Sequence, residues 1–348
     1  MLAVLVSQLM RCYGAENRGE KLIRSFVNNL AACAALGVVI AGTIPALAAG
    51  YPDHAVKVIV PFAAGGPTDV MARLIAQKLS ESLKQQFYVE DHAGAGGNIG
   101  IAQAARSVPD GYTILVASSS FMVNPSLYAQ PPFDALKDFA PVTRAAATPN
   151  ILVVHPSIEA KNMKDLIALM KASPGKYTIA NPGIGTTPQL AGELLKLTYG
   201  IDATSVPFGG SGPEIQSAIA GQTPIAFSTF PPTVPHVSSG LLRGLAVTAA
   251  KRSATLPDVP TMAEDGIEGQ ESETMQGVLV PAGTPAEIVA LLNREIVKAM
   301  QLDDVKAKCA ELGFDPAADS PQAFAVYIKQ DIEKWAKVIK DAKIQQIQ

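Results

Sequence analysis

Short apolar segments rich in β-branched residues alternate along the chain with segments of helical periodicity. The run "VKVIV" (56–60) leads into a loop with two glycines, and the segment after it places apolar residues at 71, 74, 75 and 79, the spacing of one helix face. The same order recurs at "YTIA" (177–180), which precedes "NPGIGTTP" and "LAGELLKL". Such alternation is typical of parallel sheets with helices on both faces. We therefore predict an α/β fold.

Other segments fit the same pattern. Strands are predicted at "FYVE" (87–90), "YTILVA" (112–117) and "ATSVPF" (203–208), and the last of these leads into "GGSGPE" and a helix over "IQSAIAG". Two longer amphipathic helices are predicted over 284–300 and 320–342, each of which starts with a hydroxyl residue followed by proline. In the first of them Thr284 is the expected N-cap and Pro285 the first helical residue.

The N-terminal segment has the layout of a secretory signal peptide. Lys21 and Arg24 precede an apolar run over 30–44, and "PALAA" (45–49) offers small residues for cleavage. A run of this length is short for a membrane span. We predict a cleaved leader over residues 1–48, with a start site that is over-long, and hence a periplasmic protein. "LAAC" (30–33) also matches a lipoprotein box around Cys33, although the apolar run continues past it.

Composition and motifs exclude several classes of function. The net charge is −3 and only 6% of residues are aromatic, which argues against a nucleic-acid surface. After cleavage only Cys309 remains, so no internal disulfide is expected. The four histidines lack metal-ligand spacing, "GAGGNIG" (94–100) departs from the dinucleotide fingerprint, and neither a phosphate-binding lysine loop nor a nucleophile elbow is present. We therefore predict no metal, no cofactor and no catalytic residue.

Several predicted loops place glycine and small hydroxyl residues directly after a strand. The first amides of the following helix lack intrahelical partners there, and the helix dipole adds partial positive charge, so an anion site forms without a basic side chain. In the loop at 62–69, Gly65 and Gly66 allow close approach to the backbone, Pro67 sets the first turn, and Asp69 caps or braces the amides. The alternative is that these glycines only make tight turns.

The chain also resembles a known family in its motifs. "YPDHAVKVIVPFAAGGPTDVMARLIAQKL", "GAGGNIG", "PDGYTILVA", "DFAPVT", "NPGIGTT", "LRGLAVTAAKRSATLPDVPTMAEDGIEG" and "GVLVPAGTP" occur in this order over residues 50–345. This combination resembles the extracytoplasmic substrate-binding receptors of tripartite tricarboxylate transporters, the TctC or Bug-type proteins. The resemblance implies a two-lobed, type II Venus-flytrap fold of periplasmic binding proteins. Each lobe would then be a mostly parallel sheet flanked by helices.

The resemblance also implies a division into lobes and a ligand site. Residues 49–150 and 273–348 would form the first lobe and 151–272 the second, with a small organic acid held in the cleft by backbone amides and ordered water. A membrane permease would receive the ligand, and the receptor is expected to be a monomer. The implied ligand-binding residues are Phe62, Ala64, Gly65, Gly66, Asp69, Ser118, Ser119, Gly183, Gly185, Thr186, Thr187, Gln189, Pro207, Phe208, Gly209 and Ser228.

Departures from the family pattern affect the expected ligand. Gln189 stands where the family usually has histidine, and Phe208 and Gly209 replace tyrosine and lysine. With fewer partners for a second carboxylate, a monocarboxylate with a neutral polar or aromatic remainder is expected, with Phe208 as a stacking surface. A dicarboxylate is the alternative, if these positions lie outside the pocket.

Two other functions remain open at this stage. A periplasmic enzyme would need a positioned acid or base, for which only Asp69 and Glu214 are candidates. A ligand-sensing partner of a two-component system would use the same cleft as a transport receptor, so the sequence does not separate sensing from uptake.

Overall fold

The structure is a computed structural model that describes residues 50–341 and 344–348. The predicted signal peptide over 1–48 lies outside the described residues. The strands are β1 (Val56–Val60), β2 (Phe87–Asp91), β3 (Thr113–Ser118), β4 (Phe139–Val154), β5 (Thr178–Asn181), β6 (Thr204–Pro207), β7 (Ile225–Thr229), β8 (Arg243–Val247), β9 (Glu273–Pro281) and β10 (Asp315–Pro316).

Helices follow most of these strands. They are α1 (Pro67–Leu83), α2 (Asn98–Ala105), α3 (Ser120–Leu127), α4 (Met163–Ala172), α5 (Thr187–Tyr199), α6 (Ser211–Ile219), α7 (Phe230–Ser238), α8 (Ala286–Met300), α9 (Asp303–Leu312) and α10 (Pro321–Asp341), with a 3₁₀ turn at Ala95–Gly97. None of the described helices is long and apolar enough to cross a membrane.

The strands form two sheets that share one long strand. The order is β2-β1-β3-β9-β4-β7-β5-β6, and β8 and β10 also pair with β4. The first part of β4 pairs with β9, from Phe139↔Pro281 to Pro149↔Glu273, and its last residues pair with β7. We call β1, β2, β3, β9, β10 and the first part of β4 the first sheet. The remainder of β4 with β5 to β8 is the second sheet.

The outer strands of both sheets run parallel, as the α/β prediction requires. β1 pairs in parallel with β2 and β3, and β5 does so with β6 and β7. The strands that connect the two sheets are antiparallel: β4 with β7 and β8, and β9 with β3 and β4. This arrangement brings the carboxyl ends of β1, β3, β5 and β7 to one region, where α1, α3, α5 and α7 begin.

Each sheet buries apolar side chains on both faces, which supplies most of the driving force for folding. In the first sheet, α1 and α8 cover one face through residues such as Ile75 and Leu292, and α3 and α10 cover the other through Phe121 and Phe324. In the second sheet, α4 and α5 cover one face and α6 and α7 the other. Cys309 is a buried free thiol, and burial raises its pKa to about 11.

The helix start predicted at Pro285, with Thr284 as the N-cap, is wrong by one residue. Helix α8 begins at Ala286, and Thr284 donates its hydroxyl to the Pro281 carbonyl instead of capping the helix. Helix α10 begins at Pro321, and the Ser320 hydroxyl accepts from the Ala323 amide as the hydroxyl-then-proline pattern predicts. The difference arises because Thr284 is engaged in the turn that ends β9.

Candidate functional site

A small cavity lies where the helix starts of the two sheets meet. The volume that the centre of a water molecule can occupy in it is about 20 Å³. The residues on its two sides therefore lie close together. No charged side chain is among the residues that line it in the described part of the chain. These residues are Phe62, Gly66, Pro67, Thr68, Ser118, Pro182, Thr186, Thr187, Pro188, Gly210, Ser211, Thr229 and Thr274.

Four helices point their N-terminal ends at this cavity. The N-cap residues of α1, α5, α6 and α7 are Gly66, Thr186, Gly210 and Thr229, and all four line it. None of the four accepts a capping hydrogen bond with its side chain. Backbone amides of four first turns therefore lack side-chain caps beside one cavity, and four helix dipoles place partial positive charge there. This is the electrostatic environment that binds an anion.

Prolines occupy the first turns of the same four helices. Pro67 is the first residue of α1, Pro188 the second of α5, Pro213 the third of α6, and α7 has Pro231 and Pro232 at its second and third positions. Proline has no backbone N–H and a fixed φ, so it removes donors and holds the turn in helical geometry. The donors that remain are few and their positions are fixed by the backbone.

The first-sheet side of the cavity, residues 62–69, is called the first wall. Gly65 has a φ of +84°, whereas Gly66 is extended with a φ of −79°. A Cβ on Gly66 would meet only the Ala63 carbonyl oxygen, at 3.7 Å. Gly65 therefore makes the left-handed turn, and Gly66 does not. What Gly66 supplies is open space at the cavity.

Asp69 braces the first wall. Its Oδ2 accepts a 2.8 Å hydrogen bond from the Gly65 amide, and its Oδ1 lies 2.6 Å from Arg73 Nε without hydrogen-bond alignment. Arg73 also reaches Asp91 at 2.9 Å. Burial and the nearby Asp69 carboxylate raise the pKa of Asp91. Asp69 is thus a buried carboxylate that contacts the Gly65 amide and Arg73. It is the third residue of α1 and not the N-cap, so it stabilises the loop that precedes the helix.

The opposite side, the second wall, is formed by the starts of α5, α6 and α7. Ser211 Oγ and Thr229 Oγ1 lie 2.8 Å apart, which joins the start of α6 to the end of β7. Thr187 and Thr274 share a 2.5 Å hydroxyl contact, and Thr274 donates to Asn150 Oδ1 at 2.8 Å. These buried hydroxyl groups tie the second wall to the point where β4 and β9 pass between the sheets.

The two walls touch each other around the cavity. The Ala63 amide donates to the Gly209 carbonyl at 3.1 Å. On the other side, a Cβ on Gly96 would collide with the Ile184 carbonyl, and one on Gly185 would collide with Asn124 Oδ1. These close backbone contacts need glycine, and they account for the small volume of the cavity.

The structure brings five of the sequence-predicted site residues into the cavity wall: Phe62, Gly66, Ser118, Thr186 and Thr187. The others lie in the same loops or directly behind them. They are Ala64, Gly65, Asp69, Ser119, Gly183, Gly185, Gln189, Pro207, Phe208, Gly209 and Ser228.

Several of these residues hold the loops rather than face the cavity. Ser119 Oγ accepts from the Met275 amide, and Gln189 Oε1 accepts from the Gly185 amide at 3.3 Å. Phe208 packs on the core beneath α6.

Eight lining residues were not predicted as site residues: Pro67, Thr68, Pro182, Pro188, Gly210, Ser211, Thr229 and Thr274. Pro182 and Pro188 flank the glycine loop of α5, and their place beside "GIGTT" was a usable signal. Thr274 comes from the start of β9, more than 40 residues from the nearest predicted loop, and nothing in its sequence surroundings marks it. Among the described residues no cluster of three or more His, Cys, Asp and Glu side chains is arranged to hold a metal ion.

Glu214 is fully buried in the first turn of α6. The Ser228 hydroxyl donates to its Oε2 at 2.9 Å, and Oε1 has no hydrogen-bond partner among the described residues. Burial raises the pKa of Glu214 well above its ordinary value, and the Ser228 hydrogen bond opposes this only in part. A carboxyl group in this environment favours the protonated form.

Comparison with known proteins agrees with this geometry. The chain is 37% identical to protein BugT of Bordetella pertussis over 299 residues, which is 85% of this chain and 92% of that protein. The periplasmic binding protein BugD has 32% identity and a TM-score of 0.83, and the match covers 85% of this chain and all of that one. Rpa4515 of R. palustris, solved with adipate, has 34% identity and a TM-score of 0.83 at the same coverage.

A family model gives the same assignment. The model described as the tripartite tricarboxylate transporter family receptor, TctC, matches residues 71–344. The match begins within α1, after β1 and the first wall, and includes the remaining strands and the starts of α5, α6 and α7. The two-lobed fold of the solved relatives agrees with the arrangement of strands found here. The chain is a member of the TctC family of tripartite tricarboxylate transporter receptors.

Proposed function

We propose that this protein is an extracytoplasmic solute-binding receptor that captures a small organic acid and delivers it to a tripartite membrane permease. The observation that supports this proposal is the meeting of four uncapped helix N-termini at one cavity without a charged lining residue. A carboxylate placed there would receive backbone amides from both walls, which favours closure around a bound ligand.

We propose residues 49–150 and 273–348 as the first lobe and 151–272 as the second. The pairing of β4 supports this division, because it changes partners from β9 to β7 at residue 150. The protein would work in the periplasm as a monomer after removal of residues 1–48.

The site binds without turnover in this proposal. Asp69 is occupied by the Gly65 amide and Arg73, and Glu214 has no exposed surface, so neither is placed as a free acid or base. Uptake is preferred over sensing because the family is one of transporter receptors.

For the ligand we propose one anchored carboxylate with a neutral remainder. The second-wall loops 181–188 and 207–213 contain no lysine or arginine, and an unpaired buried charge would be costly. The relative Rpa4515 is bound to adipate, which makes a dicarboxylate the alternative.

A thermal-shift screen tests the receptor function. The mature chain is heated with adipate, malate, benzoate and succinamate, because a ligand at a hundred times its Kd should stabilise the fold by about 2.7 kcal/mol. A shift with any of these acids, and recovery of the acid unchanged by mass spectrometry, supports a carboxylate receptor. Shifts with adipate and malate alone would contradict the neutral-remainder ligand, and absence of any shift would contradict the carboxylate site.

An experiment in cells distinguishes a function in uptake from one in sensing. Loss of labelled-acid uptake on deletion of the receptor supports transport. Intact uptake with loss of an acid-induced transcriptional response would instead assign the protein to sensing.

A further inference from the structure

Glu214 is a buried ionisable group for which the proposed function gives no role. It has no exposed surface, and one carboxyl oxygen is satisfied by Ser228 while the other has no partner. A buried carboxyl group without a compensating charge is unfavourable for stability unless it is neutral. The presence of this carboxyl group close to the cavity therefore requires an explanation.

Its position links it to the second wall. Glu214 lies three residues after Ser211 on α6, which is about 5 Å along the helix axis. Ser228 directly precedes Thr229 at the end of β7. Two hydrogen bonds therefore join the start of α6 to the end of β7 side by side: Ser211 with Thr229 in the cavity wall, and Glu214 with Ser228 behind it.

We propose that Glu214 is a positioning residue of the anion site. Through Ser228 it fixes the end of β7 against the start of α6, and so fixes Thr229 and the first amides of α7 at the cavity. This inference rests on the proposed carboxylate-binding function. It concerns the second wall, where Glu214 and Ser228 lie behind Ser211 and Thr229.

The role requires the protonated carboxyl group. Ionisation would place a negative charge behind the wall that faces the ligand carboxylate, and at about 8 Å with an effective dielectric of about 20 it would weaken binding by about tenfold or more. Burial raises the pKa of Glu214 and thereby favours the neutral form.

No nearby charge offsets an ionised Glu214 in the described part of the chain. The strands β5, β6 and β7 carry no titratable side chain. Helix α7 carries His236 in its last turn, away from the cavity. On β8, Arg243 donates to two backbone carbonyls, and on β4, Arg144 is paired with Asp319 in the segment before α10. Across the cavity, Asp69 shares Arg73 with Asp91.

The first experiment needs no ligand. Hydrogen exchange of a peptide over 226–234 is measured by mass spectrometry at pH 6 and pH 9 in the wild type, Glu214→Gln and Glu214→Ala. Each rate is divided by that of Glu214→Gln at the same pH, which cancels the intrinsic pH dependence of exchange. Glu193→Gln is the matched control, since Glu193 lies on α5 paired with Lys196 and away from the cavity lining.

We expect Glu214→Gln to match the wild type at pH 6, because the amide oxygen accepts from Ser228 as the carboxyl group does. Glu214→Ala should exchange about tenfold faster, since the Ser228 hydroxyl loses its partner. The wild type and the Glu193→Gln control, which both keep Glu214, should move towards Glu214→Ala at pH 9, because a buried unpaired charge favours local opening. Equal exchange in all variants at both pH values would overturn the proposal. The wild-type comparison stands even if Glu214→Ala does not fold.

The second experiment measures Kd for adipate and benzoate by calorimetry in the same proteins. We expect Glu214→Ala to weaken binding by about tenfold. The wild type and Glu193→Gln, which both keep Glu214, should bind more weakly at pH 9 than at pH 6, whereas Glu214→Gln should not. Tight, pH-independent binding in Glu214→Ala would overturn the proposal while leaving the receptor function intact. Failure of both acids to bind the wild type would count against the receptor function, and hydrogen exchange would still decide whether Glu214 fixes the wall.

Discussion

The two walls of the cavity are held in place by different kinds of interaction. The first wall is braced by Asp69. Arg73 lies between the carboxylates of Asp69 and Asp91, and its side chain is 53% exposed to solvent. The second wall is held by hydroxyl groups and by Glu214, which is fully buried and lacks a cationic partner.

The difference shows where this fold tolerates charge. An ion pair with one member in solvent is screened and adds little field to the cavity. A buried charge would act on the cavity at low dielectric, and the second wall therefore uses neutral donors and acceptors. Since no charged side chain of the described residues lines the cavity, the backbone dipoles supply positive potential at the site.

The largest expected effect is on the first wall. Gly66→Val should lower ligand affinity by about a hundredfold or more, a change of about 2.7 kcal/mol, because its methyl groups would fill the small cavity. The extended φ of −79° accepts a side chain, so the melting temperature should stay close to that of the wild type. Gly66→Ala is the graded control and should lose less. Unchanged calorimetric affinity in a folded Gly66→Val protein would remove the first wall from the site.

The next effect belongs to the second wall and depends on pH. Because the folded state holds the Glu214 proton more tightly than the unfolded state, its stabilising contribution is complete below the ordinary pKa of 4.5 and is lost as pH rises through the raised folded pKa. Within that window the loss is about 1.4 kcal/mol per pH unit. In urea unfolding from pH 5 to pH 9, the free energy of unfolding of Glu214→Gln should rise relative to that of the wild type as pH rises. Parallel curves would mean that Glu214 is already charged in the folded protein.

Removal of the first-wall brace should have a smaller effect. Asp69→Ala leaves the Gly65 amide without its acceptor and should lower the free energy of unfolding by about 1 kcal/mol. Glu193→Gln serves as the surface control in the same urea titration. A catalysed reaction of a bound acid that disappears in Asp69→Asn would contradict the assignment of Asp69 as a brace and the receptor function with it.

The smallest expected effect concerns Phe208. Its ring packs on the core beneath α6 and does not line the cavity. Phe208→Ala should therefore change affinity for an aliphatic acid by less than about twofold. A loss of more than tenfold for benzoate, with adipate unaffected, would show that aromatic ligands stack on this side chain.

The sequence predicts the repeated part of this fold well. The strands at 56–60, 87–90 and 112–117 agree with β1, β2 and β3 to within a residue or so, since each combines β-branched or aromatic residues with a glycine turn beside the strand. The long strand β4 was not predicted, because Pro141, Pro149 and three consecutive alanines interrupt any strand pattern. Its pairing with β9 and β7 comes from tertiary contacts.

For the candidate site, the sequence identifies loops rather than individual contacts. Glycine and hydroxyl residues mark where helices begin, but which of them face the cavity depends on how the two walls meet. The place of Thr274 in the cavity lining, and the close contacts that leave no room for a Cβ at Gly96 and Gly185, arise only from that meeting. Local chemistry therefore predicts the anion-binding turns, whereas the shape between them is a property of the whole fold.

The prolines at the four helix starts have a consequence for the thermodynamics of binding. With φ fixed at Pro67, Pro188, Pro213 and Pro231, the first turns have little conformational entropy to lose when an acid enters. A preorganised set of few donors gains affinity by avoiding that loss rather than by adding contacts. Replacing these prolines with alanine would restore amide donors to the cavity and still weaken the receptor, because the added donors would have to be ordered each time a ligand arrived.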